Sequence, residues 1–256
     1  MSPAIQFGAI VVTCALLWSL ESIVPLFDYR GTRIRHAAPN VGLTLVFFAM
    51  NVALSAVSLT LATIALGRGI GLLFLVDWPV PVEAALAVAG LDLFTYVAHL
   101  LMHKSRTAWR FHRVHHSDAQ VDVTTAYRQH PGETVWRVAW QVTGVVAFGV
   151  PLWVLALYLT ISSVNALFEH ANIAVPERLD RALRLVFVTP NMHKWHHSRL
   201  QPETDSNYSN IFSVWDRLFG TYTASSRCGG IRYGLDGLDG EESWSFAKLL
   251  RLPFAR

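Results

Sequence analysis

Trp109-Arg110-Phe111-His112-Arg113-Val114-His115-His116-Ser117 places three imidazoles within five positions, and Pro190-Asn191-Met192-His193-Lys194-Trp195-His196-His197-Ser198 repeats the same spacing further along the chain. A third box, His99-x3-His103, precedes both. Histidines three or four apart on a helix share one face, so each box aims two or three nitrogens at one point. Imidazole is the commonest side-chain metal ligand and suits iron, zinc and copper. Three boxes offer more ligands than one metal takes. The simplest reading is a histidine-only two-metal site. No cysteine lies in a box, which excludes a thiolate zinc site.

The boxes sit beside long apolar runs, and these set the fold class. Hydrophobic residues make up 52% of the 256 and charged residues 15%, against roughly 25% charged in soluble proteins. Mean hydropathy is +0.34 and the pI about 9.0. The mild excess of +3 flanks apolar runs, so it faces a membrane and not nucleic acid. Ala4 to Leu20, Val41 to Leu66, Ala84 to Leu101 and Val138 to Phe168 are the candidate spans. The second would reach about 39 Å, enough to cross a ~30 Å hydrocarbon core. The fourth would reach about 46 Å and is interrupted at Gly149 and Pro151, so it reads as a kinked helix or a two-helix hairpin. Leu72 to Pro81 reads as interfacial, with Trp78 as anchor. The expected fold is all-α: a polytopic membrane bundle of about four spans with a helical cap holding the two-metal site.

Basic residues orient it. Arg30, Arg33 and Arg35 follow the first run, and Lys104, Arg106, Arg110 and Arg113 follow the third. The positive-inside tendency puts both groups, and with them all three boxes, on the cytosolic face of a bacterial inner membrane or endoplasmic reticulum. The N-terminus lacks a basic region before its apolar run, so it reads as a retained span and not a cleaved signal. The expected organisation is membrane helices and interfacial segment over 1–81, a catalytic region over 82–225 and a polar tail over 226–256. Cys14 lies in an apolar run and Cys228 in the tail, so no disulfide is expected.

Individual residues carry further expectations. Asp92, Tyr96, His99 and His103 share one helix face. A carboxylate inside a span is a functional hypothesis by default, and Asp92 is expected to accept from a ligand imidazole. His170, at the end of the last run, is expected to be a ligand. His130, followed by Pro131, reads as supporting or structural, and His36, in a basic stretch, as solvated.

The order His99-x3-His103, Trp109 to Ser117, Arg128-x-His130-Pro131 and His193-x2-His196-His197-Ser198 resembles the fatty acid hydroxylase/sterol desaturase superfamily. The segments Asn207-Tyr208-Ser209-Asn210 and Trp215 to Tyr222 resemble its closing signature. The resemblance runs from Asp92 to Tyr222. It implies an integral membrane enzyme in which His99, His103, His112, His115, His116, His193, His196 and His197 hold two irons, with His170 a ninth ligand. Dioxygen is the co-substrate, and a lipid C–H bond (sterol, fatty acyl or related) is hydroxylated or desaturated. Some relatives place a second histidine four residues from the position of His170. Here that position is Ala166, and Asn165 or water is expected to take its role. Asp216, in the closing signature, is expected to support the ligands. A lipid would enter between helices with its head group at a basic rim of Arg110, Arg113, Lys194 and Arg199. No haem or ferredoxin-like domain is recognised in the sequence, so two electrons are expected from a separate cytochrome b5- or ferredoxin-like donor. The alternatives are a metal transporter, which needs polar residues along a span where this chain has histidines at span ends; an inactive lipid-binding relative, against intact boxes; and a zinc hydrolase, which needs fewer ligands.

Overall fold

The computed structural model describes residues 2–224, 230–238 and 244–255; Cys228 lies outside the described residues. Among them the chain is almost wholly helical, with isolated bridges and no strand. Four helices are long and apolar enough to cross a membrane: α1 (Pro3–Ile23), α2 (Arg33–Gly67), α3 (Val80–Lys104) and α6 (Leu152–His170). Between them lie α4 (Arg106–His116) and α5 (Pro131–Phe148), followed by the short helices α7 (Glu177–Leu183), α8 (Pro190–His196), α9 (Gln201–Thr204), α10 (Val214–Leu218) and α11 (Phe246–Arg251).

The long run from Val138 to Phe168 is two helices, with a break at Gly149–Pro151. Gly149 is left-handed at φ +70° and caps α5, where a glycine carries no Cβ penalty. Gly71, at φ +140°, approaches it so closely that an added Cβ would lie 2.2 Å from the Gly149 nitrogen. Two glycines therefore let the turn seat against the 3-10 segment Leu72–Leu75. The arms then diverge: α5 packs on α2 and α3, and α6 on α1 and α3.

At 35 residues, α2 is about 52 Å long, more than a membrane core requires. Its first turns enter the cap and bury His36, Asn40 and Leu43, while Leu45, Val52 and Val57 lie exposed further along. His36 is thus not solvated. Its Nε2 lies 2.7 Å from Asp118 and its Nδ1 3.3 Å from Asp122. Asn40 joins Asp118 and accepts from Arg128, whose guanidinium also reaches Ser117 and the Val114 carbonyl. This buried network fastens α2 to the end of α4. Glu21, inside α1, does the same on the other side: it accepts from the Val123 and Asn172 amides and pairs with Arg33 at 2.7 Å. The C-terminal α11 sets Leu249 against Leu43 and Val114.

Candidate metal centre

Helix α3 presents His99 and His103 at its end, α4 presents His112, His115 and His116, α6 ends on His170, and α8 carries His193 and His196, with His197 as its cap residue. The fold sorts them into two groups. His99, His103, His112, His116 and His196 form one; His115, His170, His193 and His197 form the other. Within each, one ring nitrogen per residue lies within 4.8 Å of every other. All nine sequence-identified histidines are therefore brought together. Adjacent residues His115 and His116 diverge to different groups, as do His196 and His197, because neighbours on a helix point about 100° apart.

The ring orientations are fixed by acceptors. His99 Nδ1 donates to the Tyr208 carbonyl (2.8 Å), His196 Nδ1 to the Ser206 carbonyl (2.7 Å) and His170 Nδ1 to the Ala166 carbonyl (2.7 Å). A carbonyl only accepts, so the proton sits on Nδ1 and each Nε2 is a bare lone pair. Yet in the first group such Nε2 atoms face one another: His196 to His99 at 3.0 Å, and His99 to His112, whose Nδ1 donates to Glu133, at 3.1 Å; in the second, His193 and His197 Nε2 lie 3.1 and 3.2 Å from His170 Nε2. Bare lone pairs converging at that distance repel unless a cation lies between them. Metal–nitrogen bonds of about 2.1 Å at right angles set their nitrogens about 3.0 Å apart, which matches. His103 Nε2 is also buried without a hydrogen-bond partner. The donor set thus fits two metal ions.

Burial holds His115, His116, His193, His196 and His197 well below the usual imidazole range, and the neighbouring rings add to the shift. His112 is lowered as well by burial, with Glu133 opposing. Neutral imidazole is the form that binds metal.

Supporting contacts include several the sequence did not reveal. His112 Nδ1 donates to Glu133 at 3.0 Å, and Glu133 also accepts from Arg137 at 2.8 Å. Burial alone would raise the Glu133 carboxyl, but His112 and Arg137 override it and hold it lowered. Its position in Pro131-Gly132-Glu133, one turn into a helix, carried no signal of a partner 21 residues away. Glu169 lies 3.7 Å from His193 Nε2, and Asp205 lies 3.5 Å from His103 Nδ1.

Asp92 and Lys194 depart from their expected places, and the other named residues take the following partners. Among the described residues Asp92 bonds no imidazole. It accepts from the Ile211 and Phe212 amides and from the Trp215 indole at 2.9–3.1 Å, so it anchors the Asn207–Trp215 loop to α3. Asp216 does the neighbouring task, accepting from the Tyr208 and Ser209 amides and the Thr221 hydroxyl, and so holds the carbonyl that orients His99. Asn165 donates to the Asn210 carbonyl and to Glu169. His130 caps α5 and bonds the Leu250 carbonyl; its role is structural. Lys194 is fully buried and donates to the Ile173 carbonyl, so it belongs to no rim. Arg113 is tied to the Leu252 and Ala255 carbonyls and Arg199 to Asp236; Arg110 is exposed.

A profile described as Fatty acid hydroxylase matches residues 84–221, over half of the chain. The chain belongs to this family. It is 30% identical over 180 residues to ornithine lipid hydroxylase OlsE of Rhizobium tropici, covering 70% of this chain and 53% of that protein. It is 29% identical over 165 residues to alkylglycerol monooxygenase of Homo sapiens (64% and 35%) and 28% over 132 residues to methylsterol monooxygenase 1 of Gallus gallus (51% and 42%). The matched segments thus span about a third to a half of these relatives. No solved structure matches. These fatty acid hydroxylase relatives are lipid hydroxylases and monooxygenases.

Proposed function

We propose that this chain is an integral membrane di-iron oxygenase. It hydroxylates or desaturates a lipid C–H bond with dioxygen and two electrons from a separate donor protein, on the cytosolic face. The observation that carries the reading is the pair of histidine groups, five and four, at the ends of apolar spans in a chain whose relatives are lipid hydroxylases. Those relatives are named for ornithine lipids, alkylglycerols and methylsterols.

Nine imidazoles would hold the irons, and all nine are neutral ligands. When bound, the irons supply dioxygen reduction and oxidation of an unactivated carbon, which side chains alone do not perform. The protein's own residues do the rest. The Tyr208, Ser206 and Ala166 carbonyls lock ring orientation, and Glu133 raises the basicity of His112, as outer partners of metal-bound histidines do. Glu133 places negative charge beside the first group. Burial of every ligand ring excludes bulk water from the reacting carbon.

The test is metal content per chain of purified protein, with His196→Ala and His115→Ala from the two groups. About two irons in the wild type are expected from paired sites of this kind, with metal and dioxygen-dependent lipid oxidation lost together in each variant. One zinc per chain, or metal retained by both variants, overturns the reading.

A further inference from the structure

A partly open chamber of about 130 Å³ lies between α5 and α6, with α2 and α3 also contributing to its lining. Its lining mixes apolar side chains such as Phe47, Val138 and Leu159 with polar ones. Asn51, Gln129, Ser162 and Asn210 line it with hydrogen bonds to their own surroundings, while Arg137 and Gln141 bring further donors to the same space. Arg137 is the one charged lining residue among those described. Its Nε is committed to Glu133, and a guanidinium has five N–H donors in a fork suited to carboxylate and phosphate. The same Glu133 oxygen accepts from His112, so the guanidinium lies two hydrogen bonds from a candidate ligand ring. None of Arg110, Arg113, Lys194 and Arg199 lines the chamber.

Resting on the oxygenase reading, we propose that this chamber binds the oxyanion of an anionic amphiphile, a carboxylate or phosphate, through Arg137 with Gln141 beside it. The carbon presented to the irons is then one close to the head group and not the far end of the chain. The volume supports this division. Pockets for whole ligands run from about 300 Å³ upward, so a chamber of about 130 Å³ takes a head group and leaves the alkyl chain to the bilayer. A neutral sterol has no group to match the guanidinium.

The experiment measures saturable binding of radiolabelled twelve-carbon probes to iron-loaded full-length protein in phosphatidylcholine nanodiscs, with empty nanodiscs subtracted. The probes are dodecyl phosphate, dodecanoate, dodecanol and dodecyltrimethylammonium. The two anions are expected to bind at least about tenfold more tightly than the alcohol, the scale of one charge-assisted hydrogen bond, and the ammonium probe least. Arg137→Gln is expected to erase that preference. Gln141→Leu, which removes no hydrogen bond to Glu133 or an imidazole among the described residues, is expected to weaken the anions several-fold with iron unchanged. Preference for phosphate over carboxylate, or the reverse, identifies the head-group chemistry. Equal binding of dodecanol and the anions, or an anion preference that survives both substitutions, overturns the proposal. Iron is counted in the same samples. Absent iron refutes the oxygenase reading separately, while the probe ranking still reports on the chamber.

Discussion

The outer spans and the inner cap invert each other's rules. In α1 and α2 only 6% of the span-forming window is buried within the molecule, and their side chains are apolar because lipid is their solvent. In the cap many buried positions are polar: His36, Asn40, Asp118, Arg128, Glu133, Asp216 and the histidine boxes. Here α3, half buried, passes from one regime to the other along its length. Apolar surface costs nothing against lipid, so the fold spends burial on polar groups that need fixed partners. Stability and chemistry therefore both reside in the cap, and substitutions in the two regions should differ sharply.

The largest contrast is expected on acidification. Six cap imidazoles outside the spans are lowered from 6.5. The unfolded chain binds protons there first, so stability of metal-free protein is full above pH 6.5 and falls below it. Each such group contributes up to about 1.4 kcal/mol per pH unit. Melting followed by tryptophan fluorescence should show a steep loss between pH 6.5 and 5 that iron shifts to lower pH. A flat profile would mean the rings are not held neutral.

Next, Arg128→Ala should cost about 3–5 kcal/mol, because it strands buried partners of a charged network; unchanged melting would dissolve the claimed link between α2 and α4. Leu43→Ala, one turn from Asn40 and buried under Leu249, should cost about 2–5 kcal/mol. Asp92→Asn should cost about 1–3 kcal/mol by weakening the anchor of the Asn207–Trp215 loop. Iron per folded molecule should stay constant there. Selective loss of iron from folded protein would restore a direct role at the metal centre. The smallest effect belongs to the lipid-facing side. Leu45→Ala and Val52→Ala, both exposed on α2, should stay within about 0.5 kcal/mol, and a larger cost would reveal a helix partner on that face.

The sequence by itself determined the ligand types, their helical spacing and the apolar runs, because each is a local pattern: periodicity within one helix, or composition within one span. His99, His103, His112, His115, His116, His170, His193, His196 and His197 were all legible that way. Which histidine joins which group was not. That depends on how α3, α4, α6 and α8 cross, and residues adjacent in sequence separate there. Glu133 and the Tyr208, Ser206 and Ala166 carbonyls were equally invisible, since a backbone carbonyl has no sequence signature and a carboxylate's partner is set by packing. Asp92 and Lys194 were misplaced for the same reason. Both carry charge near a box, but burial and available donors sent one to a loop's amides and the other to a carbonyl. Only the tertiary structure opened the chamber at Arg137, because it exists where two arms of one apolar run diverge, and that divergence is decided by which helices each arm packs against.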